Sequence, residues 1–119
     1  MSKRYHCPAF DLNIIEADIL IQRIKEIYKE QLIACYVQYE PPNLIIIKCS
    51  FDTKETKFII HILWEANTEA DYFRLDDHIW ELGPYSIIRL NGTSETNTDI
   101  DRTARKSEDI LKFIGECLG

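Results

Sequence analysis

Glycine is scarce in this chain, and its few positions exclude the usual phosphate-binding loops. Gly83, Gly92, Gly115 and Gly119 are the only four glycines, and no two of them stand at the spacing of a GxGxxG fingerprint or a P-loop. The chain also lacks a recognisable Ser/His/Asp arrangement of the kind that hydrolases use. These two absences favour a non-enzymatic protein.

Closely spaced cysteines are absent too. The four cysteines (Cys7, Cys35, Cys49 and Cys117) lie far apart, and none belongs to a CxxC pair. This spacing matches neither a zinc site nor the disulfide framework of a small secreted domain. We therefore expect reduced thiols, no metal and no cofactor.

No apolar run is long enough to cross a bilayer. The longest runs, Leu44 to Ile47 and Phe58 to Trp64, are far shorter than the ~20 residues that a membrane-spanning helix requires. The first residues, Met-Ser-Lys-Arg-Tyr-His-Cys, are not followed by the apolar segment of a signal peptide. The expected location is the cytoplasm, with no membrane partner.

The chain has fewer basic than acidic residues. Lysine and arginine number 14 against 20 acidic residues, which gives a net charge of −6. The basic residues Arg102, Arg105 and Lys106 are interleaved with acidic ones and form no separate patch. Because a nucleic-acid backbone repels such a surface, we expect no nucleic-acid partner.

The residues that are present predict one α+β domain over 1–119, a length typical of a single domain. After a lead-in segment over 1–11, the spacing of apolar residues predicts a helix over 13–31. Its core-facing positions are Ile14, Ala17, Leu20, Ile21, Ile24, Ile27 and Tyr28.

Three strands are predicted next, over 32–39, 44–51 and 56–64, with short polar interruptions that indicate an antiparallel meander. The run from Leu44 to Ile47 indicates a central strand that is buried on both faces, so Leu44 and Ile46 are expected in the core. Ile60, Ile62, Ile24 and Ile114 are the other expected core residues. The third strand alternates, with Phe58, Ile60, Ile62 and Trp64 on one face.

The second half of the chain is less regular. Residues 65–83 fit either a helix, through Tyr72, Leu75, Ile79 and Leu82, or a strand, and the helix is favoured. A strand over 85–90, a mobile polar loop over 91–98 and a helix over 99–118 complete the prediction. The predicted fold is α+β: an antiparallel sheet of four to five strands with N-terminal and C-terminal helices packed on it, in the order α-β-β-β-(α or β)-β-α.

This element order, together with the small size and the acidity, is similar to that of the small acidic chaperones of bacterial secretion systems and of toxin-neutralising immunity proteins. The similarity implies a protein that binds another protein. The similarity is one of element order, size and charge, and not of any sequence motif.

Candidate contact residues lie on the first helix. Ile15 and Ile19 fall opposite the core-facing positions, beside Gln22 and Glu26. An apolar pair with a polar rim is typical of an interface, so we expect a second copy or another protein there, or the lead-in around Phe10.

Two aromatic residues at element ends, Tyr39 beside Pro41-Pro42 and Trp80 near Gly83-Pro84, are expected as further anchors. A chaperone, an adaptor or an immunity-type inhibitor would fit this interpretation.

The alternative is a small enzyme or ligand-binding domain with a pocket between the sheet and the helices, near His61 and His78. His61 lies in an apolar strand and is expected to be a core or interface histidine rather than a base, since the spacing supplies no acidic neighbour. The cluster Asp76-Asp77-His78 contains metal-binding residue types, but adjacent positions do not converge on one ion.

Overall fold

The computed structural model of the chain describes residues 8–53, 56–66, 72–75, 78–81, 86–95 and 99–118. It confirms the α+β fold, with a helix at each end of a run of strands. In chain order the elements are α1 (Pro8–Ile27), β1 (Leu32–Glu40), β2 (Leu44–Asp52), β3 (Lys57–Ala66), β4 (Tyr72–Leu75), β5 (His78–Glu81), β6 (Ser86–Ser94), β7 (Asp99–Ala104) and α2 (Ser107–Leu118).

Five strands form one antiparallel sheet in the order β1-β2-β3-β6-β7. The first three are the predicted meander, and β2 is central as expected. β4 and β5 pair with each other as a separate two-stranded sheet. Since β1 and β7 each pair with one strand of the described sheet, they are its edges.

Both helices pack on one face of this sheet, and that face carries the core. The alternation predicted for β3 is confirmed, because Phe58, Ile60, Ile62 and Trp64 are all buried. Buried residues of α1 and α2, among them Ile24 and Ile114, belong to the same cluster. The opposite face of the sheet has no helix on it within the described part of the chain.

The expectation that β2 is buried on both faces is wrong. Its buried residues are Ile45, Ile47, Cys49 and Phe51, whereas Leu44 and Ile46 are half-buried. Sheet neighbours on both sides cover the backbone of a central strand, but only the helices cover a face. With both helices on one face, alternate residues of β2 point toward the uncovered side.

The first helix begins earlier and ends earlier than predicted. Pro8 is its first residue, and proline fits there because the first N–H groups of a helix have no acceptor within it. Residues 8–11 therefore belong to α1 rather than to a lead-in segment, and Phe10 is buried in the core. The helix ends at Ile27, which is 53% exposed and, contrary to the prediction, does not face the core. The carbonyl of Tyr28 then accepts hydrogen bonds from the N–H groups of Gln31 and Leu32.

The C-terminal prediction needs a larger correction. Residues 91–94 belong to β6, and β7 occupies 99–104, so the final helix starts at Ser107 and not at Asp99. Ile100 and Ala104 fall on one side of a helix because they are four residues apart. They also fall on one side of a strand, whose period is two, so their spacing did not separate the two structures.

Gly92, predicted within a loop, allows α2 to approach the sheet. A Cβ atom at this position would lie 2.7 Å from Cys117 Sγ and 2.8 Å from Cε1 of Phe58. Only the absence of a side chain permits this packing of α2 on β6 and β3.

Within 65–83, the residues that the structure describes (65–66, 72–75 and 78–81) follow the strand alternative instead of the favoured helix. β3 continues to Ala66, and β4 pairs with β5 in a register that places Phe73 opposite Trp80. The helical spacing of the apolar residues did not reveal this backbone pairing, because pairing depends on a second segment of the chain.

Candidate functional site

An apolar stripe runs along the outer side of α1, opposite the core. Leu12, Ile15 and Ile19 are 42%, 56% and 56% exposed. Their spacings of three and four residues place them on successive turns of one helix face. We call these three residues the α1 stripe. The predicted position of Ile15 and Ile19 away from the core is confirmed, and Phe10 does not cover them.

The charges along α1 are unevenly distributed. Over 8–18 the helix carries three carboxylates (Asp11, Glu16 and Asp18) and no cation. Over 19–27 it carries Arg23 and Lys25 with one carboxylate, Glu26. The predicted rim residues Gln22 and Glu26 are exposed. The α1 stripe therefore lies on a helix with an acidic first half and a more basic second half.

Tyr39 joins strand β1 to this side of α1. Its hydroxyl donates a hydrogen bond to Asp18 Oδ1 at 2.9 Å. Asp18 lies about 60° around the helix from Ile15, so Tyr39 contacts the flank that adjoins the α1 stripe. Partial burial and the Asp18 carboxylate both raise the pKa of the Tyr39 hydroxyl. The structure thus brings Ile15, Ile19, Gln22 and Tyr39 to one side of the molecule.

The edge strand β1 carries further exposed apolar residues, which were not predicted as contact residues from the sequence. Ile33, Tyr36 and Val37 are all exposed. Ile33 occupies an irregularity in the pairing of β1 with β2, which turns an extra residue outward. The Pro41-Pro42 pair directly after β1 could have indicated from the sequence that β1 is an edge strand, because proline in a sheet is typical of edge strands.

His61 does not join this surface. His61 is exposed on the sheet face without helices, so it is not a core residue and cannot line a pocket between sheet and helices. Its cross-strand neighbours are Lys48 and Asn91, neither of which is a carboxylate that could orient an imidazole. The side chains of His78 and Trp80, like Asp76 and Asp77, lie outside the described residues.

Two cysteines that are far apart in sequence meet across β1 and β2. Cys35 and Cys49 face each other in the register, and their Sγ atoms are 3.3 Å apart in a thiol hydrogen bond. The hydrogen bond from Cys49, partly offset by burial, lowers the pKa of Cys35. The same hydrogen bond and burial raise the pKa of Cys49. Both are free thiols in this structure.

Comparison with protein-family models, curated proteins and solved structures gave no match for this chain. Within the described residues, neither helix has the length and apolar character needed to span a membrane. A functional conclusion therefore depends on the geometry of the chain itself.

Proposed function

We propose that this protein is a small, acidic, non-enzymatic protein-binding module whose binding surface is the α1 stripe. The observation that carries the proposal is the exposure of Leu12, Ile15 and Ile19 on the side of α1 that faces away from the core. A chaperone, an adaptor or an immunity-type inhibitor of the cytoplasm would use a surface of this kind.

The exposed area is large enough to drive an association. Burying roughly 200–300 Å² of apolar surface at about 25 cal/mol per Å² contributes several kcal/mol before the entropy cost of association. Scattered surface isoleucines are common, but three apolar residues on successive turns form a continuous patch. Exposed polar residues such as Gln22 and Glu26 supply the rim of an interface.

The occupant that we propose is a second copy of the chain, with its α1 antiparallel to the first. In that arrangement the acidic half of each α1, which includes Asp11, faces the half of the other copy that carries Arg23 and Lys25. A parallel arrangement would place the three carboxylates of both copies together. A two-fold axis through the α1 stripe gives both copies the same set of contacts, as the interface of a symmetric dimer requires.

The size of the patch sets the expected affinity. A stable interface buries about 800 Å² on each partner, which exceeds the α1 stripe alone. Contacts must therefore extend over Gln22 toward Tyr39, and even so the interface is at the small end of the range. We expect reversible association with a Kd in the micromolar range.

Sedimentation velocity over a range of concentrations tests the proposal. The test variant is Ile15→Lys/Ile19→Lys. The matched control is Ile27→Lys/Ile33→Lys, which replaces two isoleucines that are 53% and 57% exposed and adds the same charge outside the α1 stripe. We expect the wild type and the control to associate at high concentration and the test variant to remain monomeric. Circular dichroism of all three proteins verifies that each is folded.

Two results would refute the proposal. A wild type that stays monomeric up to millimolar concentration would show that the second copy is not the occupant. Equal loss of association in both double variants would show that added charge, and not the α1 stripe, is responsible.

A further inference from the structure

The thiols of Cys35 and Cys49 are placed so that a bond between them needs no rearrangement of the backbone. The two residues lie directly opposite each other in the antiparallel register of β1 and β2. The Cα atoms of such facing residues are about 4.5–5.5 Å apart, within the ~4.4–6.8 Å that disulfides span. Bond formation requires only that the Sγ atoms approach from 3.3 Å to about 2.05 Å.

The two thiols differ in their access to solvent. Cys35 lies on the edge strand β1 and is partly exposed, whereas Cys49 is 0% exposed and belongs to the core cluster. Among the described strands β1 pairs with β2 alone, so a small solute reaches the Cys35 sulfur from the edge of the sheet. Cys49 is therefore placed to react with the Cys35 sulfur and not with a solute.

The charge distribution of the pair favours the same division. The hydrogen bond from Cys49 is the main cause of the lowered pKa of Cys35, burial opposes it, and the Lys25 ammonium adds a smaller lowering effect. The same hydrogen bond raises the pKa of Cys49. Because the thiolate is the reactive form of cysteine, the exposed sulfur is the nucleophile of the pair and the buried sulfur is the proton donor.

Cys117 provides a comparison within the same molecule. It is also partly exposed, but it lies against β6, where a Cβ atom at Gly92 would be 2.7 Å from its Sγ atom. In the strand order β1-β2-β3-β6 this position is three strand spacings from β1, or roughly 14 Å. Cys117 is therefore too far from Cys35 to form a disulfide with it in the folded chain.

We propose that Cys35 and Cys49 form a peroxide-reactive site, in which Cys35 is oxidised by a hydroperoxide and Cys49 converts the product into an intramolecular disulfide. The site lies on the helix side of β1 and β2, away from the α1 stripe, and its reactivity does not depend on the proposed dimer.

The reaction has two balanced steps. The Cys35 thiolate attacks one oxygen of hydrogen peroxide, so that an S–O bond forms, the O–O bond breaks and the departing hydroxide takes up a proton as water. The sulfur of Cys49 then attacks Cys35 Sγ, its proton leaves with the hydroxyl group as a second water, and the S–S bond forms. Two thiols and one peroxide thus give one disulfide and two waters, and edge strand β1 becomes covalently linked to β2.

Peptide mapping after peroxide treatment tests the site. The reduced full-length protein is treated with one equivalent of hydrogen peroxide in the presence of a metal chelator, and remaining thiols are blocked with iodoacetamide. Trypsin cleaves after Lys29, Lys48 and Lys54, so Cys35 and Cys49 fall in separate peptides, 30–48 and 49–54. We expect these two peptides to be recovered as one species whose mass is their sum less two hydrogen atoms, in about tenfold excess over any other cysteine pair.

Two variants and one condition define the origin of the cross-link. Cys35→Ser should abolish it and slow the consumption of peroxide several-fold. Cys117→Ser makes the same one-atom change at another partly exposed cysteine, is the matched control, and should form the cross-link at the wild-type rate. In concentrated urea the excess of the Cys35–Cys49 pair should disappear, because the register of β1 and β2 is lost.

Three outcomes would overturn the proposal. Oxidation of Cys35 to sulfinic acid without the cross-link would show that Cys49 does not act on it. An equal effect of Cys35→Ser and Cys117→Ser would show that partial exposure, and not the pair, determines the reaction. The same excess of the pair in urea would show that the short separation in the chain, and not the sheet, brings the thiols together.

Discussion

Replacing Ile47 by alanine should lower the free energy of unfolding by about 2–5 kcal/mol, whereas the same change at Ile46 should cost less than half as much. The two residues are adjacent in β2 and chemically identical, but Ile47 is 0% exposed and Ile46 is half-buried. The pair therefore measures which face of the sheet carries the core.

The magnitude follows from the surroundings of each residue. In the sheet register Ile47 lies between Val37 of β1 and Ile62 of β3, beneath the helices. Truncation to alanine removes three carbon atoms, worth about 0.8 kcal/mol each when buried, and leaves a cavity that the packed core fills only in part. Ile46 lies on the sheet face without helices, where water enters the space that the truncation leaves.

Urea denaturation followed by circular dichroism measures both variants against the wild type, with the slope of the transition reporting whether the unfolding remains two-state. An equal loss for the two variants, or a larger loss for Ile46→Ala, would refute the assignment of the core to the helix side. It would also indicate that another segment covers the opposite face.

Further predictions concern α2, the thiols and the buried polar pair. Gly92→Ala should cost about 1–3 kcal/mol in a thermal melt, and adding Cys117→Ala should recover part of the loss, because the new Cβ would lie 2.7 Å from Cys117 Sγ. In alkylation mapped by mass spectrometry, Cys35 should react at a lower pH than an ordinary thiol because its pKa is lowered. Cys117 should react after Cys35, because burial raises its pKa to about 11, and the fully buried Cys49 should react last of these three; the reverse order would contradict the thiol geometry. Asn13→Ala should cost about 1–3 kcal/mol in urea denaturation by leaving Ser86 without its buried donor, and an unchanged midpoint would exclude that hydrogen bond.

The sequence predicted the parts of the fold that depend on local periodicity. The three strands of the meander and the alternation of β3 were recognised because alternation with a period of two, as over Phe58 to Trp64, is typical of a strand and not of a helix. The run from Leu44 to Ile47 carries no period, so it could not reveal that one face of β2 is left uncovered. Which face the helices cover is a tertiary property, and no local pattern reports it.

The candidate site also has features that the sequence predicted and features that it could not predict. The exposure of Ile15 and Ile19 followed from the geometry of a single helix, and the structure confirms it. The buried hydrogen bond between Asn13 and Ser86 could not be predicted, because these residues are separated by 73 positions and meet only in the folded chain. In the sequence Asn13 has the appearance of a helix cap.

An isotope-filtered NMR measurement tests the central claim, association through the α1 stripe, most directly. Equal amounts of ¹³C-labelled and unlabelled protein are mixed at a concentration well above the dimer Kd, and contacts between methyl groups of different copies are recorded. We predict contacts between Ile15 of one copy and Ile19 of the other, and none from Ile33. Contacts from Ile33 alone would place the interface on β1, and the absence of any contact between copies would contradict the account.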